Sequence, residues 1–255
     1  MKPIIVLKIG TSTLTGGTNN ISRGKIEDIS MQILDLKKDY NVILVSSGAI
    51  AVAKQFVKLK APERPLGLKS ALSAIGQPKI MQIYMEIFAD HGLQVAQCLL
   101  THFDLQGEES RENTKKTITV LLNNDYIPII NENDTVAVEE IILGDNDKLS
   151  AMVAVLMNAK KLVIASDIDG IFTGNPNINP DAKLIENVKS IEDVKTYIQD
   201  TESNLGSGGM ESKINALEIC QGKNIKVIIV NGSIQFFLRK AIKNEIPHTQ
   251  FIGWK

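Results

Sequence analysis

Between Ile127 and Ser150 the chain carries its densest run of side chains able to meet a polar ligand. Ile127-Pro128-Ile129-Ile130 leads straight into Asn131-Glu132-Asn133-Asp134, and Gly144-Asp145-Asn146-Asp147-Lys148-Leu149-Ser150 follows just before a helical pattern. An apolar run ending in a polar burst is how a buried parallel strand delivers side chains to the mouth of an open sheet, where α/β proteins bind ligands. Amides and carboxylates mixed at one mouth suit a ligand with both an ammonium group and carboxylates, such as an amino acid. Taken singly, either cluster is more simply a set of Asx turns and a helix cap.

Four further segments bear on that choice. Val6-Leu7-Lys8-Ile9-Gly10-Thr11-Ser12, with Gly16-Gly17 beyond, sets an ammonium, a hydroxyl and glycine-permitted backbone N–H groups around a possible phosphate cradle. The lysine precedes the glycines, so this is not a Walker A loop; a plain glycine turn after an edge strand, with Lys8 solvated, is the alternative. Val45-Ser46-Ser47-Gly48-Ala49-Ile50 places the Ser47 hydroxyl and the N–H groups of Gly48 and Ala49 where they can meet a ligand carboxylate. A nucleophile-elbow role for Ser47 is poor, since G-x-S-x-G is absent and His91, His102 and His248 sit in no triad-like context. His91 and His102 read as satisfied loop histidines. Leu205-Gly206-Ser207-Gly208-Gly209-Met210-Glu211-Ser212-Lys213 is a glycine-rich loop feeding a helix, a general phosphate site or else a flexible linker with an exposed lysine. Ser166-Asp167, at another strand end, lines a nucleotide site or forms an Asx turn.

Phosphoryl transfer explains these segments together. The migrating group spreads negative charge over its oxygens, so catalysis is chiefly positioning plus stabilisation by cations and N–H groups. Lys8 and Lys213 would neutralise that charge from two sides, and Asp147 is the natural anion to hold both lysines. A carboxylate acceptor is already ionised at neutral pH and needs no general base, in keeping with the absence of an evident catalytic histidine.

The elements that must position these residues are also legible. Pro3 to Ile9, Asn41 to Val45, Gln94 to Leu100, Tyr126 to Ile130, Leu162 to Ala165 and Ile225 to Val230 read as strands, with a last one near Thr249 to Ile252. Most are continuous apolar runs, as in strands covered on both faces; Gln94 to Leu100 alternates and belongs nearer an edge. Ile26, Ile29, Ile33 and Leu36 mark a helical face, and Lys148 to Leu156 and Gly209 to Cys220 read as helices. The alternation predicts a three-layer αβα sandwich with a mainly parallel open sheet. A single domain over 1–255 is expected, with two lobes meeting near residue 160. Asn133 to Leu143 reads as a hairpin or lid, and Asp169 to Asp181 as an ordered functional loop.

Composition narrows the class. The 255 residues are 44% hydrophobic and 22% charged with a net charge of -1, which gives no basic field for nucleic acid or anionic lipid. Cys98 and Cys220 have no partner pattern, and no apolar stretch is long enough for a membrane span. A cytoplasmic protein with no nucleic-acid or membrane partner and no protein-held metal site is expected.

The segments around Lys8, Ser47, Asn131 to Asp134, Gly144 to Ser150 and Gly206 to Met210, with Ala71-Leu72-Ser73-Ala74-Ile75-Gly76-Gln77, closely resemble the amino acid kinase family, and within it the branch that phosphorylates glutamate. The resemblance implies ATP- and Mg²⁺-dependent phosphorylation of the γ-carboxylate of L-glutamate, the first step of proline biosynthesis. It implies Ser47, Gly48, Ala49, Asn131, Asp134 and Asn146 at the glutamate. Lys8, Gly10, Ser12, Ser166, Asp167, Ser207, Gly208, Gly209, Met210 and Lys213 would bind ATP, with catalysis by Lys8, Lys213 and Asp147. Glutamate would then lie in an N-terminal lobe, about 1–160, and ATP in a C-terminal lobe, about 161–255. A homo-oligomer, dimer or tetramer, and transient hand-off to a glutamyl phosphate reductase are further implications. Many members carry a C-terminal PUA module, which the matching segments here do not include. Acetylglutamate kinase, aspartokinase and uridylate kinase types are the rivals within the fold, and a non-catalytic ligand sensor the rival outside catalysis; retention of both Lys8 and Lys213 argues against the sensor.

Overall fold

A computed structural model describes residues 2–60, 65–136, 146–176, 178–197 and 209–252. The strands are β1 (Ile4–Ile9), β2 (Asn41–Ser46), β3 (Gln94–Leu100), β4 (Tyr126–Glu132), β5 (Lys161–Ser166), β6 (Asn187–Val188), β7 (Lys226–Asn231) and β8 (His248–Phe251). The helices are α1 (Thr11–Thr15), α2 (Arg23–Leu36), α3 (Ala49–Phe56), α4 (Pro65–Asp90), α5 (Glu108–Asn123), α6 (Asn146–Leu156), α7 (Glu192–Lys195), α8 (Met210–Cys220) and α9 (Phe237–Ile242). The strands form one sheet in the order β3-β4-β2-β1-β5-β7-β8-β6, parallel except where β8 runs against β7. The alternating strand β3 is indeed at an edge. The first strand is central, between β2 and β5, so the edge-strand alternative for Lys8 does not hold.

Strand parity decides what each functional side chain faces. In β1, Ile5, Leu7 and Ile9 join α2 and α4 residues in one apolar cluster, while Ile4 and Val6 join α6 and α8 residues in the other. Lys8 follows Val6 at the same parity and therefore comes out on the α6 and α8 side. In β4, Ile127 and Ile129 belong to the α4 side and Ile130 to the α6 side. Asn131 thus falls on the α4 face and Glu132 opposite. These two clusters are the two filled interlayers of the αβα sandwich, and each fully buried aliphatic or aromatic side chain adds about 1.5–3 kcal/mol of hydrophobic stabilisation.

Helices α4 and α5 were not among the sequence-derived elements. Helix α4 carries Pro78 in its interior and packs closely on α3 at Gly76. A β-carbon there would lie 1.7 Å from the Ala49 carbonyl oxygen, so only glycine permits this approach. The expected lid over Asn133 to Leu143 lies mostly outside the described residues. Among the described residues, no helix is long and apolar enough to cross a membrane.

Candidate active site

Lys8, at the C-terminal end of β1, meets Asp147 in the first turn of α6: Lys8 Nζ lies 2.5 Å from Asp147 Oδ1. From α8, Lys213 Nζ stands 3.4 Å from Asp147 Oδ2, and the Ser212 hydroxyl donates to the same oxygen at 2.8 Å. Asp147 is completely buried, and Lys8 and Lys213 are 7% and 4% exposed. Lys8 is therefore not solvated. Burial alone would push the Asp147 carboxyl up, but the Lys8 and Lys213 charges and the Lys8 and Ser212 hydrogen bonds outweigh it and hold the group below its ordinary value. Among the described residues, the result is one carboxylate carrying two cations in a low-dielectric interior.

Next to it opens a cleft of about 880 Å³ lined by Ser12, Ser47, Gly48, Ala49, Asn131, Glu132, Asp134 and Asn146, among others. The turn after β2 is sharp because Gly48 adopts φ 101°, a left-handed conformation open to glycine, and it starts α3 directly. The Asn146 amide nitrogen donates to Ser47 Oγ at 2.7 Å, to Asn131 Oδ1 at 3.0 Å and, at 3.4 Å, to the Ser46 carbonyl. Asn131 Nδ2 in turn donates to Gln77 Oε1 at 2.8 Å. The Ser73 hydroxyl donates to Asp134 Oδ2 at 2.6 Å. Burial, reinforced by the Glu132 charge, raises the Asp134 carboxyl above its ordinary value; Ser73 and Lys69 oppose the shift. Such a carboxylate gains from any cation placed beside it.

The structure thus brings together Lys8, Asp147 and Lys213 in one cluster, and Ser47, Gly48, Ala49, Asn131, Asp134 and Asn146 around one cleft. Gly10 abuts the first cluster: a β-carbon on it would come 3.4 Å from Lys8 Nζ. Ser12 is exposed on α1 at the cleft rim. Ser166 is buried at the end of β5 and bonds the exposed Asp167 at 3.0 Å. Gly209 caps α8 and Met210 begins it, both part-buried, while Ser207 and Gly208 lie outside the described residues.

Sequence reasoning gave no role to Ser73 and Gln77, although it singled out Ala71 to Gln77. With Gly76 they lie at the i, i+3, i+4 spacing of one helical face, a signal the sequence does carry. It also misread His102. This ring is 4% exposed, with Nδ1 at 3.2 Å from Glu132 Oε1, and among the described residues neither His102 Nε2 nor Glu132 Oε2 has a hydrogen-bond partner. A residue set on opposite sides of a strand turn gives no such pairing away from spacing alone. His91 Nδ1 lies 2.9 Å from Ser30 Oγ and 3.1 Å from the Ile87 carbonyl oxygen.

A buried lysine–aspartate–lysine cluster beside a polar cleft, at the C-terminal ends of a doubly wound parallel sheet, defines a phosphotransferase type of site. Residues 3–231 match the amino acid kinase family, and the chain belongs to that family. Among curated relatives, glutamate 5-kinase 2 of Pseudoalteromonas translucida is 41% identical over 251 residues, which is 98% of this chain and 68% of that protein. Glutamate 5-kinase of Clostridium acetobutylicum is 42% identical over 250 residues, 97% of this chain and 94% of that protein. Glutamate 5-kinase of Vibrio campbellii is 40% identical over 250 residues, of which this chain spans 66% of the length. In fold, UMP kinase from Ureaplasma parvum superposes with a TM-score of 0.67 at 16% identity, covering 99% of both chains. Carbamate kinase from Giardia lamblia bound to AMP-PNP gives 0.68 at 18% identity, covering 98% of both. At that distance the structures attest the fold alone.

Proposed function

We propose that this chain phosphorylates the γ-carboxylate of L-glutamate to glutamyl 5-phosphate, the first step of proline biosynthesis. The observation that carries the reading is the consecutive pair Asn146–Asp147: one residue lines the polar cleft and the next holds Lys8 and Lys213. The curated relatives over nearly the whole chain support the same choice of acceptor.

The residues present fit ATP on the chemistry of their donors: two buried lysines on one carboxylate, a glycine beside Lys8, and the first turn of α8 next to Lys213. When bound, ATP supplies the γ-phosphoryl group. Among the described residues no cluster of three or more His, Cys, Asp or Glu is arranged to hold a metal, so Mg²⁺ would be held mainly through phosphate oxygens and water. Lys8 and Lys213 would stabilise the charge on the transferring group, and Asp147 would keep them at fixed separation. Ser47 and the N–H groups of Gly48 and Ala49 would take the α-carboxylate, and Asp134 and Asn146 the ammonium side, with Asn131 behind them. Gly10, Ser12, Ser166, Asp167, Ser207, Gly208, Gly209 and Met210 would line the nucleotide. Glutamate would thus be held by residues before about 160 and ATP largely by those after it. No proton has to be removed from the acceptor: its γ-carboxylate oxygen forms the new P–O bond while ADP departs with the electron pair of the bond that breaks. A cytoplasmic dimer or tetramer that passes the labile acyl phosphate to a reductase completes the proposal.

The test is ADP release with ATP, Mg²⁺ and either L-glutamate, N-acetyl-L-glutamate, L-aspartate or UMP, with hydroxylamine to trap the acyl phosphate. Glutamate-dependent ADP and a hydroxamate are expected. Turnover with another acceptor and none with glutamate would refute the assignment.

A further inference from the structure

The two lysines of the buried cluster do not sit alike on Asp147. Lys8 Nζ lies 2.5 Å from Oδ1, whereas Lys213 Nζ stands 3.4 Å from Oδ2. The second separation is about 0.5 Å beyond an ordinary ammonium–carboxylate hydrogen bond. The α8 backbone does not impose that gap, because a lysine ammonium rides on a long, freely rotating stem. Nor can the carboxylate turn away to rebalance it: the first turn of α6 is pinned by the Ser150 hydroxyl, which donates to the Asp147 carbonyl at 2.6 Å. What distinguishes the two oxygens is Ser212. Its hydroxyl donates to Oδ2 at 2.8 Å, from a side chain 8% exposed and from the residue just before Lys213 on α8. A hydroxyl suits that post, since it brings a donor to the oxygen without adding a charge.

We propose that Ser212 is a positioning residue for phosphoryl transfer: by occupying Asp147 Oδ2 it holds the Lys213 ammonium off the carboxylate. The two lysines then have different work. Lys8 is the fixed cation, anchored on Oδ1, and Lys213 is the one that turns to the transferring group. An ammonium drawn fully onto a buried carboxylate has its field largely cancelled, and a strong charge-assisted bond must be given up before it can follow the phosphoryl oxygens. Keeping Lys213 at a distance avoids both costs. The inference rests on Lys213 acting in the kinase reaction proposed above, and goes beyond it in dividing the roles of the two lysines and in naming the residue that divides them.

Ser212→Ala removes the donor, and Lys213 is expected to close on Oδ2. Measured with L-glutamate, or with whichever acceptor of the panel the wild type turns over, kcat should fall about ten- to a hundredfold, the scale of a small misplacement at the reacting group. The KM for ATP should stay within about twofold. In a Lys213→Ala background the same substitution should change kcat by less than about twofold, since no ammonium is left to misplace. Ser212→Thr keeps the hydroxyl and should restore kcat. Urea unfolding gives a readout without turnover: once the hydroxyl is gone Lys213 and Asp147 hold each other more tightly, so Lys213→Ala should lower the midpoint further in S212A than in the wild type. An unchanged kcat in S212A, an equal fall with and without Lys213, or an effect confined to the KM for ATP would overturn the proposal. Should S212A not fold, Ser212→Cys, of similar size but only a weak donor, takes its place in each comparison. A wild type that turns over another acceptor and not glutamate would refute the glutamate assignment, and the Ser212 comparison would be decided on that acceptor. If no acceptor is turned over, the urea midpoints decide: equal shifts on Lys213→Ala in the two backgrounds would overturn the proposal, and a larger shift in S212A would uphold it.

Discussion

Replacing Asp147 by Asn tests whether one carboxylate really holds both lysines. The substitution keeps shape and a hydrogen-bond acceptor for Ser212 but removes the charge lying 2.5 Å from Lys8 and 3.4 Å from Lys213. All three residues are buried, so solvent does little to screen the lysines from each other. Removing one partner of a buried ion pair costs about 3–5 kcal/mol, against a total stability of about 5–15 kcal/mol. For a chain of this size that is a fall in Tm of about 6–20 °C. With the shared carboxylate gone the two lysines should welcome a polyphosphate more, so saturating ATP should recover more Tm in D147N than in the wild type, while kcat falls. A pH series supplies the sign. Because the Asp147 carboxyl lies below its ordinary value of 3.8, its stabilisation is complete above that value and is lost as pH falls through the lowered one. The gap between wild type and D147N should therefore be widest near neutrality and close under strong acid. Differential scanning calorimetry with and without ATP checks each part. A D147N protein within about 1 kcal/mol of wild type at pH 7, where even exposed ion pairs fall, would refute the reasoning.

Three further outcomes follow from the same geometry. Lys213→Ala should lower kcat by about 10²–10³-fold, as loss of a transition-state charge donor does, with the KM for ATP changed only a few-fold; a pure rise in KM would confine Lys213 to ground-state binding. Asp134→Asn should raise the KM for glutamate about tenfold or more. It should also make the ligand-free protein more stable at neutral pH, since a carboxyl raised above its ordinary value destabilises the fold once ionised; the paired KM and urea-midpoint measurements decide both. Gly76→Ala would put a methyl group 1.7 Å from the Ala49 carbonyl oxygen. It should cost about 1–3 kcal/mol or more in urea unfolding, and it should raise the KM for glutamate because Ala49 belongs to the carboxylate-facing turn.

Strands β1, β2, β4, β5 and β7 were legible because each is a nearly unbroken, largely buried apolar run, whereas β3 alternates at an edge and the two-residue β6 was not foreseen; parity within β1 and β4 fixes which side Lys8 and Asn131 face. Helix boundaries at α6 and α8 were legible for a related reason: polar clusters stop just where apolar periodicity starts. Helix α4 was not. It is apolar on several sides, so no single stripe stands out, and Pro78 reads locally as a helix breaker. The role of α4 is tertiary. Ser73 reaches a residue 61 positions away and Gln77 is reached from 54 positions away, and no local pattern encodes such partners. The same holds for His102 and Glu132, which are 30 positions apart and meet only because β3 and β4 are adjacent and in register. Chemistry carried by residue types was readable; chemistry carried by which side chain orients which was not.

That distinction bears on how the acceptor and the phosphoryl group are brought into line. Asn146 and Asp147 are neighbours at the start of α6, their Cα atoms about 3.8 Å apart across one planar peptide. Successive side chains on a helix diverge by roughly 100°, so one can serve the cleft and the other the lysines without a hinge between them. The Ser150 hydroxyl donates to the Asp147 carbonyl at 2.6 Å, and Leu149, Ser150 and Ala151 are completely buried, which locks that first turn against the sheet. In the proposed assignment the distance between amino-acid site and phosphoryl site would thus be fixed by covalent geometry on a packed helix. Phosphoryl transfer depends mainly on such positioning, and the most informative peptide unit in the molecule is the one that joins these two residues.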